Sequence, residues 1–372
     1  MKTNIKLLSI ASLVFALVLF AMAPVKIGAA ENVTLRMLVW EGYTPDELCD
    51  AFKQLMAKEH NVNLTLDIKY VASNDDFFKA LRDGNTDIVA PSHNVPKDKR
   101  WHLIKNGLVL PLNLDNIPNY KNILPALQKA EYCTSNGEVF AVPHVMGPYG
   151  LAYNTTIIPT PPDSWNVFWD EKYAGKYSIG MNQYEHNVSL AALAMGLPKD
   201  KIYDIKTLMS TPGLKEKLAQ LAVNAGAMWQ GVDDPDTLKG KSFAAVWGFS
   251  LPQLKQMGEE WRIAEPKEGT TGWVDNFMIS HTLKDKPKER QIAEAWLNFV
   301  LGDEYQVYDV RGLACSPVTT TVTHKLTPEE ISMLHLDDPE HFEKNRILWE
   351  VLDQRQRNGI RMLWNKALSQ RK

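Results

Sequence analysis

Apolar positions along this chain switch repeatedly between a period of two and a helical period. From Glu31 the pattern predicts a strand over 33–39, a helix over 45–58, a strand over 63–70, a helix over 75–83 and a strand over 87–90. Repeated strand-helix-strand units predict a mostly parallel sheet covered by helices on both faces. A second α/β series begins near Gly150, with strands over 177–181 and 243–247 and helices over 188–195 and 214–224. A strand over 272–279 and a helix over 286–299 follow. The tail from Pro328 reads as helices, with Ile347, Leu348, Val351 and Leu352 on one stripe. The fold class is α/β, two similar halves in succession. No short-period repeat or low-complexity linker separates them, so short crossings are expected to join them.

Residues 1–30 break this pattern. Lys2 and Lys6 precede a continuous apolar run from Leu7 to Met22, and Gly28-Ala29-Ala30 ends the segment in small residues. That order predicts a secretory signal cleaved after Ala30, with the mature protein exported, most simply to a bacterial periplasm. This sixteen-residue run falls short of the roughly 18 to 20 residues needed to span a bilayer, and no Cys follows it to carry a lipid. The whole chain of 372 residues is 45% hydrophobic and 23% charged, which excludes disordered and collagen-like classes. Its formal net charge of −3 provides no basic field for a phosphate backbone, so nucleic acid is not an expected partner. Cys49, Cys133 and Cys315 are too scattered for a disulfide framework or a Cys-x-x-Cys metal site, and no metal is expected. An oxidising compartment permits one bridge; Cys49 with Cys133, both in the first half, is the expected pair, against three buried free thiols.

No catalytic motif is present: no Gly-x-Ser-x-Gly, no phosphate loop, no His-Glu-x-x-His and no Gly-x-Gly-x-x-Gly. The nine His residues show no ligand spacing, and neither an enzyme nor a cofactor is expected. Aromatic residues at strand ends stand out instead. In open α/β sheets ligands sit beyond the carboxyl ends of strands, which places Trp40, Glu41 and Tyr43, and Ser92 with its neighbours His93 and Asn94, on loops of the right kind. Most of the 11 Trp must fill cores. Trp273 and Asp275 differ, because strand alternation turns both to one face, and a carboxylate facing a core would need a buried partner. An indole face beside a carboxylate describes half of a cation site, the ring adding a cation–π attraction of about 0.5 to 2 kcal/mol. Trp247 and Trp40, also at strand ends, would complete a box around a methylene chain.

Several segments together resemble a family. Leu38-Val39-Trp40-Glu41-Gly42-Tyr43-Thr44-Pro45, Ala90-Pro91-Ser92, Ala141-Val142-Pro143-His144, Asp170-Glu171-Lys172-Tyr173-Ala174-Gly175, Val246-Trp247-Gly248 and Glu268-Gly269 leading to Trp273-Val274-Asp275 follow the order seen in bacterial periplasmic polyamine-binding proteins of the spermidine/putrescine type. The resemblance covers essentially the whole mature chain. It implies the two-lobed periplasmic solute-binding fold, with ligand clasped between lobes and passed to a membrane ABC transporter. Lobe 1 would span 31–150 with 275–321 returning to it; lobe 2 would span 151–274 with 322–372 returning to it. By the same resemblance Trp40 and Tyr43 form the first-lobe wall, Ser92 a polar contact, Trp247 and Trp273 the box, and Asp275 the amine anchor. A monomer is expected.

The chain also departs from that pattern. Where the family presents a cluster of acids in the second lobe, this sequence reads Asn182-Gln183-Tyr184-Glu185-His186, leaving Glu185 as the expected second anion. Asn94 and Leu313-Ala314 stand where aromatics are common in the family. A diamine wants an anion at each end, since an unpartnered buried ammonium loses several kcal/mol of hydration. The expected ligand is a small cation: a polyamine such as spermidine, putrescine or norspermidine, with a betaine-like mono-cation as the alternative. Two partners fit that chemistry, an ABC permease or a membrane signalling protein such as a cyclic-di-GMP enzyme. An exported hydrolase is the competing reading from another class, and it lacks a recognisable nucleophile and base.

Overall fold

The computed structural model describes residues 30–71, 73–338, 341 and 345–371. The leader expected at 1–30 and its cleavage lie outside the described residues. The chain opens with β1 (Glu31–Val39), α1 (Asp46–His60), β2 (Val62–Tyr70), α2 (Asn74–Arg82) and β3 (Ile88–Val89). Pro45 in extended conformation and Asp46 and Glu47 in the first turn start α1, and Asn61 at φ 52° stops it. Ser73 and Asp76 close a capping box on α2. After a long irregular stretch come β4 (Val142–Pro148), β5 (Gly150–Asn154), β6 (Tyr177–Gly180), α3 (Tyr184–Ala194), α4 (Leu214–Asn224), β7 (Ala227–Trp229), β8 (Phe243–Val246) and β9 (Trp261–Ala264). The chain then returns through β10 (Thr270–Ile279), α5 (Pro287–Val300), α6 (Asp303–Arg311), β11 (Ser316–Pro317), β12 (Arg346–Leu348) and α7 (Gln354–Leu368).

Two main sheets result. The first runs β11-β4-β10-β3-β1-β2, with β12 added beside β10; the second runs β9-β5-β8-β6-β7. β1 is parallel to β2 and β3, but β10 is antiparallel to β3 and β4. In the second sheet β6 is parallel to β7 and β8, while β5 is antiparallel to β8 and β9. The α/β class holds, and both sheets are mixed where a mostly parallel arrangement was expected. The cause is the returning strand: β10 enters the first sheet from the second unit and so runs against β3 and β4.

The tail differs from its helical expectation at one place. Ile347 and its neighbours form β12, parallel to β10 with Thr270 opposite Arg346 and Gly272 opposite Leu348. A short apolar run fits either period, and the free edge of β10 decides for a strand. Residues 321–333 pack with α6 through Val310, Val322 and Leu326, on the side of the first sheet. β12 and α7 follow this segment, and α7 packs on α3 and α4. β10, which returns to the first sheet, pairs with β4 from Gly272 onward.

Cys49, Cys133 and Cys315 are buried free thiols, so the Cys49–Cys133 bridge is not formed. Cys49 lies in the main core and Cys133 in a separate cluster under β3. Burial pushes both of these thiols up to about 11, which keeps them unreactive at neutral pH. Among the described residues no helix is long and apolar enough to cross a membrane.

Candidate ligand-binding cleft

The carboxyl ends of β1, β3, β6 and β8 meet at one place, and the loops that follow them carry most of the singled-out residues. Asp275 is at its centre. Its Oδ2 accepts a hydrogen bond from the Tyr43 hydroxyl at 2.7 Å and its Oδ1 one from Ser92 Oγ at 2.6 Å. A β-bulge between Asp275 and Asn276 shifts the register against β4 there and re-aims the strand. Asp275 is only 4% exposed. Burial pushes its carboxyl up to about 6, against the opposing pull of the Ser92 and Tyr43 hydroxyls; among the described residues no arginine or lysine pairs with it. Tyr43 is held from behind: the Tyr305 hydroxyl donates to its carbonyl and the Tyr308 hydroxyl to that of Gly42 at 2.8 Å. Gly42 makes the turn at φ 92°, where a side chain is strained.

Trp273, 3% exposed, lies across Gly147 and stacks on Phe249 at 6.1 Å. A β-carbon on Gly147 would come 2.8 Å from the indole, so that glycine permits the ring's position. Trp247 meets Tyr149 at 4.7 Å and His186 at 4.9 Å. Its loop is fixed by the buried Asp233, which accepts from the Trp247 and Ser250 amides at 2.9 Å.

Sequence reasoning missed Trp349. Carried one residue past β12, it packs on His186 at 4.5 Å and Trp247 at 5.5 Å, both from the second unit. From the first unit, His93 Nδ1 accepts from the Val274 amide at 3.3 Å, so its protonated Nε2 donates to the Trp349 carbonyl at 3.1 Å. Burial depresses His93 to about 4 and His186 to about 3. Both imidazoles are neutral at pH 7 and do not repel a cation. The indole N–H groups of Trp273 and Trp349, the Tyr132 hydroxyl, Asn94 Oδ1 and His186 Nδ1 are buried with no hydrogen-bond partner among the described residues. Such a concentration of unmet polar groups marks a place built to receive a polar guest.

Three expected residues stand apart from this centre. Trp40 is half-buried and packs edge-on against Phe77 at 5.6 Å. Glu41 is exposed on the turn after β1 and is not brought to Asp275. Glu185, expected as the anion for a far amine, is on the first turn of α3 within the field of Arg357, Arg100 and Arg361. Burial raises its carboxyl, and Tyr184 and those guanidinium groups pull it down only in part. The field of those arginines therefore competes with any ammonium that would approach Glu185. The structure also assembles one ligand-type cluster that His spacing did not reveal, Glu265 with His335 and His341. These residues are distant in sequence and meet only through the returning tail.

A family model described as bacterial extracellular solute-binding protein matches residues 83–337. The chain belongs to that family. Among curated proteins it is 23% identical over 314 residues to spermidine/putrescine-binding periplasmic protein 1 of Haemophilus influenzae, covering 82% of this chain and 81% of that one. It is 25% identical over 280 residues to the spermidine/putrescine-binding periplasmic protein of Salmonella typhimurium, covering 73% and 74%. The fold matches a solved spermidine/putrescine ABC transporter substrate-binding protein from Streptococcus pneumoniae with a TM-score of 0.75 at 20% identity, over 91% of this chain and 99% of that one. The two-lobed architecture is thus that of the periplasmic binding proteins.

Proposed function

We propose that this protein is a periplasmic receptor that closes around a small organic cation of the polyamine class and delivers it to an ABC importer. The observation that carries the reading is Asp275, a buried carboxylate that accepts from the Tyr43 and Ser92 hydroxyls and has no cationic partner among the described residues. An ammonium placed there gains a charge-assisted hydrogen bond, and Trp273, two residues earlier on the same strand, offers an indole face. The names of the curated relatives support the same ligand class and the same compartment. Because Asp275 and Trp273 are covered, the guest enters when the two units part and is enclosed when they meet. A mono-cation is the second reading, favoured by the three arginines whose field reaches Glu185 and competes with a far ammonium there.

A thermal-shift screen of the mature protein against putrescine, spermidine, norspermidine and glycine betaine tests both. A ligand that binds only the native state raises the melting temperature by mass action. A shift with the polyamines supports the first reading, a shift with betaine alone the second, and no shift with any of them sinks both.

A further inference from the structure

Away from the cleft, the link between β9 and β10 meets the segment that follows the helix Pro328–Met333. Glu265 stands one residue past β9, and His335 and His341 approach it from the other side. The two imidazoles are stacked, with centroids 3.9 Å apart and planes 10° from parallel, so an ion shared by both requires one ring to turn until the two Nε2 lone pairs converge. Both Nε2 atoms address one carboxylate oxygen: His335 Nε2 lies 3.6 Å and His341 Nε2 3.7 Å from Glu265 Oε1. These separations are too long for hydrogen bonds. They are close to the edge of a tetrahedron around an ion with bonds of about 2.0 to 2.2 Å, roughly 3.4 Å. His341 Nε2 is moreover buried with no hydrogen-bond partner among the described residues.

We propose that Glu265, His335 and His341 form a binding site for a divalent transition-metal ion of the zinc class. Two imidazoles and one carboxylate are borderline nitrogen and oxygen donors that suit such an ion, with a fourth position left for water. Calcium and magnesium, which want six or more oxygens, are poorly served. The surroundings supply what a metal-bound histidine needs. The Asn345 amide lies 3.1 Å from His341 Nδ1; turned so that its oxygen accepts the Nδ1 proton, it leaves the Nε2 lone pair facing Glu265. His335 has a left-handed backbone, φ 54°, at the turn that brings its ring to the cluster. Arg346 forks onto both oxygens of Glu265, at 2.8 Å to Oε1 and 2.9 Å to Oε2, so an ion takes Oε1 by displacing one arm of the fork, and the guanidinium charge holds the affinity down. The ion would tie the exit of the second sheet to β12, three residues before Trp349, and so stiffen the strap that carries that ring into the cleft.

The test uses tag-free full-length mature protein freed of metal with EDTA. Calorimetric titration with Zn²⁺ is expected to show one equivalent bound, with affinity reduced at least tenfold in His335→Ala and in His341→Ala and unchanged in His60→Ala, which lies elsewhere. Co²⁺ added to the unmutated protein is expected to give the visible absorption of a low-coordinate site, a readout independent of how any variant folds. No saturable Zn²⁺ binding, a cobalt spectrum identical to that of the hydrated ion, or wild-type affinity in the double histidine variant would each overturn the proposal.

Discussion

At the scale of single residues, Asp275 sets opposite demands on binding and stability. Its folded pKa of about 6 lies above the ordinary value of 3.8, so between pH 4 and 6 the folded protein holds a proton that the unfolded chain has released. The unliganded protein therefore loses stability as pH rises through that window, by a total on the order of 3 kcal/mol. A cation reverses the preference, because it binds the ionised form. Affinity is expected to fall about tenfold from pH 7 to pH 5 as the proton competes, measurable by calorimetry in the two buffers. Asp275→Asn is expected to weaken cation binding at least tenfold, about 1.4 kcal/mol, while raising the melting temperature of the unliganded protein at pH 7. An affinity left intact, or a melting temperature that falls, would contradict this account. Gly147→Ala is expected to displace the Trp273 indole that lies 2.8 Å from the new methyl, lowering affinity more than stability, as parallel melts and titrations would reveal.

At the scale of elements, the β12 strap is the feature to probe. Trp349 contributes a wall that touches His93 on one side and His186 and Trp247 on the other. Trp349→Ala is expected to weaken putrescine several-fold while spermidine, longer by an aminopropyl arm, loses less because it fills the space; equal losses for both would count against a size-setting role. This element also marks where sequence reading stopped. Strands and helices with long, clean periods were legible to within a few residues, β1, α1, α4 and β10 among them, and so was the Trp273/Asp275 pair, because alternation along one strand is a local property. The strap was not. Ile347-Leu348 satisfies two periods at once, and its choice depends on an edge that belongs to residues 270–272. The surroundings of Glu185 were hidden for a related reason: its charge is local, but Arg100 and Arg357, whose fields reach it, come from distant parts of the chain. Tyr43 and Ser92 were picked for their strand-end positions, and only the tertiary structure turned both hydroxyls onto Asp275.

At the scale of the whole molecule, one ion pair links α7 to the loop after β3. Arg357 on α7 reaches Asp98, on the loop after β3, at 3.5 Å, with both side chains nearly covered. Arg100 shares Asp98 at 2.8 Å, so removing Arg357 does not orphan the carboxylate. Arg357→Gln is expected to shift the unliganded protein toward the open form, enlarging its radius of gyration in solution scattering and lowering ligand affinity about fivefold, near 1 kcal/mol. An unchanged scattering profile would mean that the pair does not bias closure. The position of Trp349 in the chain has a further consequence for how the protein comes into being. Both sheets can be assembled from residues that precede 320, apart from β12, yet the receptacle lacks its last wall until the strap lays down against β10. On the proposed reading, competence to retain a guest is acquired at the end of maturation, and a chain emerging on the far side of a membrane would be folded for some time before it could withhold solute from its surroundings.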